Sequence, residues 1–239
     1  MTGGGSLFAD DFVAGVDGCR SGWICFALAG RTREARVLLS NDFVSLLEEL
    51  GQPQIVAMDI PIGLVEKGSR QCDLAARKIL GKKRGSSVFP APIRSALSAH
   101  SYSEACNLSR RISGKAVSKQ SYAILPKIRE IDSWVTIERQ EWLHEVHPEV
   151  CFWALNGCEP MKYKKSSAEG MRDRLMQLSP IYPDLKSRLA LLNRKAAAPD
   201  DLLDAAVACW TAERILSGTA GSVCGLEVDT HGLRMGITY

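Results

Sequence analysis

Phe12 to Trp23, FVAGVDGCRSGW, is the stretch whose reading decides the rest of the chain. Phe12, Val13, Ala14 and Val16 form the short apolar run expected of a buried strand, and Gly15, Gly18 and Gly22 permit close backbone approach around its end. Asp17 interrupts the run. A buried carboxylate is costly unless it is paired or coordinates a metal, so an acid inside a central strand points to chemistry. The same residue also fits an Asp-Gly turn, where it would only bond nearby backbone. Both readings stand on this stretch alone.

Outward from it, Trp23 to Leu28 and Ala35 to Leu39 are two further apolar runs separated by a polar turn, which predicts an antiparallel meander of three strands. Asn41 is placed to cap a helix from Phe43 to Leu50, whose Phe43, Leu46, Leu47 and Leu50 share a face before Gly51 and Pro53 stop it. Ile55 to Met58 is a continuous apolar run, as in a strand buried on both faces, and it ends at a second carboxylate, Asp59. From Val65 to Thr136 the pattern turns to helical segments, Gln71 to Leu80 and Tyr102 to Arg111 among them, broken by Gly, Pro and Ser. This predicts a basic, mostly helical insertion over 65–136 within a single domain spanning 1–239. Its loop from Gly81 to Leu97 carries Lys82, Lys83, Arg84 and Arg94, which could track a phosphate backbone without sequence preference. Phe89, Tyr102, Tyr122 and Trp134 either stack on bases or pack between helices.

Leu143 to Val146 resumes a strand that carries a further acid, Glu145, and Pro148 starts the next helix, so Glu149 reads as a first-turn acid. His144 and His147 would face opposite sides of a strand, which argues against a paired-histidine metal site. Two basic helices, Ser166 to Leu178 and Leu185 to Leu192, precede a strong one, DDLLDAAVACWTAERILSG, with Pro199 at its start and Gly218 past its end. Asp201 and Asp204 lie three apart on one face of it. The alanines 205, 206, 208 and 212 let that helix approach the sheet closely. LEVDTHGLRMGITY reads as a closing strand pair turned at His231-Gly232.

With 239 residues, 46% of them apolar, the chain can bury a sizeable core. No apolar run approaches the roughly 18 to 20 residues that span a bilayer, and the opening MTGGGSLFADD lacks the basic and apolar regions of a secretion leader. A cytoplasmic protein without a membrane partner is expected. The eight cysteines contain no C-x-x-C pair and read as reduced, mostly buried thiols. Charge is uneven: Leu64 to Glu130 holds 14 Lys or Arg against 4 Asp or Glu, and Met161 to Lys195 holds 9 against 3, although the net charge is +3. Basic segments beside an acidic remainder suit a nucleic-acid partner, though solvated helix faces would give the same count.

Four or five carboxylates brought to one sheet edge cannot all ionise without a cation, and hard oxygen ligands select Mg²⁺ or Mn²⁺. Such a pair of ions can hold an attacking water and a leaving oxygen in line across a phosphodiester. G-x-S-x-G, G-x-x-x-x-G-K-[ST] and H-E-x-x-H are all absent, which weakens the rival hydrolase classes.

The order of elements resembles the ribonuclease H fold: an α/β mixed sheet, its first three strands antiparallel, with helices on both faces. Asp17, Asp59 and the Asp201-x-x-Asp204 pair are similar to the acids of Holliday-junction resolvases of the RuvC type. More closely, GVDGCRSGW, AMDIPIGL, RQCDLAAR, VFPAPIRSAL, SYAILPKIREID, EVHPEV, DDLLDAAVA and GLRMGI resemble the family called domain of unknown function 429, described as predicted nucleases of that fold. The resemblance implies metal ligation by Asp17, Asp59, Asp201 and Asp204, with Glu145 supporting. It departs at Asp59, where the resolvases carry Glu, and at His147, where an aromatic such as Tyr is expected. A metal-dependent nuclease acting on DNA or RNA is therefore the leading expectation, and self-association as a homodimer stays open. The alternatives are a nucleotide-binding phosphotransferase of the same superfamily, for which no second copy of the meander is present, and a non-catalytic nucleic-acid-binding protein.

Overall fold

The computed structural model describes residues 11–239; residues 1–10, on which most of the leader argument rests, lie outside them. β1 (Phe12–Cys19), β2 (Gly22–Ala29) and β3 (Ala35–Ser40) form the expected antiparallel meander, β1 pairing with β2 from Phe12↔Ala29 to Cys19↔Gly22. β4 (Ile55–Met58) runs parallel to β1 on its other side, and β5 (Leu143–Glu145) parallel to β4. The result is a five-stranded mixed sheet in the order β3-β2-β1-β4-β5. β6 (Ser222–Val228) and β7 (Arg234–Thr238) make the predicted closing pair as a separate two-stranded sheet.

Helices α1 (Phe43–Leu50), α2 (Gln71–Arg84), α3 (Tyr102–Ser113), α4 (Lys119–Ala123), α5 (Leu125–Trp134), α6 (Pro148–Leu155), α7 (Ala168–Leu178), α8 (Leu185–Leu191) and α9 (Pro199–Leu216) occupy the connections. The two faces of the sheet separate by the alternation of side chains along each strand. Val13, Ile24, Phe26 and Leu28 pack with α6 to α9, whereas Phe12, Ala14, Val16, Trp23 and Cys25 pack with α1 and α5. Within the stretch expected to be an insertion, α5 thus belongs to the layer that covers the sheet. α2 packs instead against β6, β7 and α6. All eight cysteines are free thiols, six buried, with Cys158 and Cys224 exposed. Among the described residues no helix is long and apolar enough to cross a membrane.

Two helix ends differ from the sequence expectation. The cap of α1 is Asp42, not Asn41: its backbone is extended, and its carboxylate accepts from Ser45 N at 2.8 Å. Asn41 stands one residue too early to reach the orphan N–H groups. The helix expected to stop at Leu80 changes direction at Gly81, φ 59°, and Lys82 to Arg84 follow as a further turn.

β1 and α9 touch backbone to backbone. A Cβ at Gly15 would fall 2.0 Å from Ala205 O and 2.1 Å from Cys209 N, which explains why glycine faces a helix rich in alanine. Gly15→Ala must push apart the sheet and its central helix, so it is expected to destabilise the protein by about 3 kcal/mol, read as a lowered urea midpoint with unchanged slope. A loss below about 1 kcal/mol would mean that the contact is slack.

Candidate functional site

The strand ends and α9 converge on one cleft of about 440 Å³. Asp17 stands near the carboxyl end of β1, and Asp59 follows β4, held there by Asp59 N donating to Val16 O at 2.9 Å. The close approach of α9 at Gly15 brings its first turns beside them, so Asp201 and Asp204 line the same cleft. All five expected acids line the cleft, though not in equal states: the four aspartates stand together, and Glu145 is held apart by Arg70. Asp17 is 7% exposed and accepts from Gly18 N at 2.7 Å, which is the local turn bond, while its carboxylate also faces the cleft. Asp201 commits Oδ2 to Ala198 N at 2.8 Å and so holds the start of α9 as well as facing the cleft. Asp204 is 1% exposed, and its Oδ1 is buried without a hydrogen-bond partner.

A lysine enters this cluster. Lys165, from the segment between α6 and α7, places Nζ 2.7 Å from Asp204 Oδ2 and 3.9 Å from Asp200 Oδ2. Burial raises the Asp17 carboxyl well above its ordinary range, reinforced by the charges of Asp59 and Asp204 and opposed by Lys165. The same causes, burial first and then Asp204, push Asp59 up to about 7. Asp201 is raised by burial against the pull of its bond from Ala198. A carboxyl whose pKa rises on folding adds stability below its unfolded value and loses it as pH rises through the folded one. In chelator, the protein is therefore expected to lose about 2 kcal/mol between pH 5 and pH 8, less than the full shift of Asp59 would give because that side chain is partly open to water. Denaturant melts across that range measure it, and Asp17→Asn is expected to flatten the slope.

Glu145 does not join the cluster. Its Oε1 accepts from Arg70 Nη2 at 2.6 Å, and its Oε2 from Arg70 Nη1 and Ile62 N, each at 2.7 Å. Both oxygens are engaged, so the expected supporting ligand is the partner of a buried arginine. Burial lifts Glu145 to about 7 despite Arg70, while Glu145 and Asp73 hold the guanidinium above its ordinary value against the same burial. The pair is ionised, because arginine does not give up its proton and each carboxylate oxygen receives a charged donor.

The expected phosphate contacts are also redistributed. Arg84 is buried and donates Nε to Met161 O and Nη2 to Lys162 O, tying α2 to the segment that carries Lys165. Arg94 bonds both oxygens of Asp132 and also pairs with Asp229. Neither is free for phosphate. Lys82 is exposed away from the cleft, whereas Lys83 is exposed on its wall, joined by Lys164 and by the half-exposed ring of Phe89. His147 caps α6 through Nδ1, which accepts from Glu149 N at 3.2 Å, and burial lowers its pKa. Glu149, read as a first-turn acid, pairs with the fully buried Arg174. Trp23 is wholly buried and donates Nε1 to Glu130, so it packs the core instead of meeting a ligand.

Among the described residues, no group of three or more His, Cys, Asp or Glu side chains is gathered tightly enough to hold a metal ion as it stands. The donor set nevertheless fits a hard divalent cation: carboxylate oxygens only, one of them buried and unpartnered, around a single lysine. A family model described as "Protein of unknown function (DUF429)" matches residues 15–227. The chain belongs to that family. The span matched to DUF429 opens two residues before Asp17 and takes in Asp59, Lys165, Asp201 and Asp204. No curated protein and no solved structure matches the chain.

Proposed function

We propose that this DUF429 protein is a metal-dependent nuclease, hydrolysing phosphodiester bonds of DNA or RNA in the cleft at the carboxyl end of β1. The observation that carries the reading is the meeting of Asp17, Asp59 and Asp204 in one cleft around an unpartnered carboxylate oxygen. The strand order β3-β2-β1-β4-β5, with three antiparallel strands followed by two parallel ones and helices on both faces, supports a ribonuclease H-like assignment. Asp17, Asp59 and Asp204 would hold Mg²⁺ or Mn²⁺, with Asp201 supporting through its uncommitted oxygen. Such an ion supplies an activated water and neutralises charge on the phosphate. Lys83 and Lys164 face the strand's phosphates, and Phe89 offers a stacking surface to a base.

The cleft volume lies within the range of about 300 to 1,000 Å³ typical of small-ligand pockets. A strand therefore reaches the acids by extruding a nucleotide or presenting an unpaired end, not by lying as an intact duplex in an open channel. The same volume favours the second reading, a nucleotide-binding phosphotransferase.

Purified protein incubated with single-stranded, branched and RNA–DNA hybrid substrates plus Mn²⁺, beside Asp17→Asn, tests both. Cutting of unpaired ends that disappears in the variant is expected. Cutting that persists at the same rate removes the nuclease reading, and turnover of a nucleoside triphosphate without cutting selects the second.

A further inference from the structure

Lys165 is built into the acid cluster in an unusual way. Its Nζ lies 2.7 Å from the Oδ2 of Asp204, a residue 1% exposed, while Oδ1 of the same carboxylate is buried and has no partner. One positive charge is thus set against Asp17, Asp59 and Asp204, all of which feel one another. The lysine side chain is itself 44% exposed, so packing does not lock it in place. Its backbone is held separately: Arg84 donates to Met161 O and Lys162 O on one side, and Ser167 caps α7 by accepting from Gly170 N at 3.0 Å on the other. A fixed backbone with a releasable ammonium group is what a tethered cation needs.

We propose that Lys165 is a resident counter-ion that stands in for the divalent cation's charge at Asp204 and is displaced from that carboxylate when one binds. This rests on the metal-dependent reading above. The physical argument is competition: an ammonium and a divalent ion cannot both sit against Asp204 without repelling each other, and three mutually close carboxylates are better matched by two charges than by one. Lys165 therefore keeps the empty cluster from repelling itself apart, and it makes metal loading depend on metal concentration.

The test uses Mn²⁺ alone, titrated into the full chain, with free Mn²⁺ read by its electron paramagnetic resonance signal. Lys165→Met is expected to bind Mn²⁺ about tenfold more tightly than the wild type, and Lys165→Arg, which keeps the charge, to stay within about twofold. Without metal, Lys165→Met is expected to melt at a lower temperature, and Mn²⁺ to raise its melting point more than that of the wild type. Unchanged or weaker Mn²⁺ affinity in Lys165→Met overturns the proposal, as does an absence of Mn²⁺ binding by every variant. The nuclease reading fails separately: tighter Mn²⁺ binding with no cutting of any nucleic acid leaves the counter-ion in place and removes the nuclease. Cutting by a wild type whose affinity Lys165→Met does not alter does the reverse.

Discussion

Replacing Asp204 by Asn is expected to reduce phosphodiester cleavage by about a thousandfold or more, equivalent to about 4 kcal/mol of barrier, while the protein remains folded. The two halves of that expectation have different causes. Among the aspartates of the cleft, Asp204 has a buried oxygen without a partner, as Glu149 also has beside its pair with Arg174, so the substitution removes a carboxylate ligand that no arginine holds. Its loss to the fold is small. The pair with Lys165 is partly exposed on the lysine side, and such pairs contribute about 0 to 1 kcal/mol, while one carboxylate is removed from beside Asp17 and Asp59. Stability without metal is therefore expected to hold or rise as activity falls, which separates a functional acid from a structural one. Single-turnover cutting of a labelled single strand with Mn²⁺, beside denaturant melts in chelator, gives both numbers. If the variant keeps cutting within about tenfold of the wild type, Asp204 is not a ligand and the metal site must lie elsewhere.

What could be seen in the sequence was whatever repeats or interrupts a pattern. Asp17 and Asp59 are legible because the first interrupts an apolar run and the second ends one, and Asp204 because it sits inside an apolar helix; all three line one cleft. The alanines of α9 forecast its close approach to β1, which the backbone contact at Gly15 now explains. Ion pairs between distant residues leave no such trace. Nothing in the MKYKKSS stretch marks Lys165 as the partner of Asp204, 39 positions later; in the sequence it is one of many positive charges. For the same reason the sequence does not mark Arg84 and Arg94, whose partners are backbone carbonyls and the acids Asp132 and Asp229, or Glu145, whose partner is Arg70, as already paired. A charge count measures how many basic residues exist and says nothing about which of them are already satisfied. Asn41 and Asp42 are both good caps, and only the backbone geometry decides between neighbours of that kind.

Arg70→Met is expected to cost about 5 kcal/mol at pH 8, the largest single loss of stability foreseen in the chain. The guanidinium is 1% exposed and is shared by Glu145, by Asp73 through Nη2 at 2.6 Å, and by the carbonyls of Ile62 and Gly63. Methionine fills much of the volume but leaves two carboxylates buried without their cation. Asp73 would keep its bond from Ala91 N, and Glu145 its bond from Ile62 N, neither of which neutralises charge. The pH dependence follows from sign. Burial pushes the Glu145 carboxyl up, and Arg70 pulls against it. Without the arginine it rises further, so the variant keeps most of its stability below the ordinary carboxylate range and loses it progressively as pH rises. The destabilisation is accordingly expected to shrink by about half at pH 5. Because the cluster joins β5, α2 and the chain after β4, and all three of its residues line the cleft, it also fixes part of the cleft wall. The double variant Arg70→Met with Glu145→Gln decides whether unpaired charge is the cause. Recovery of about half the loss is expected, whereas no recovery at any pH would place the cost in packing.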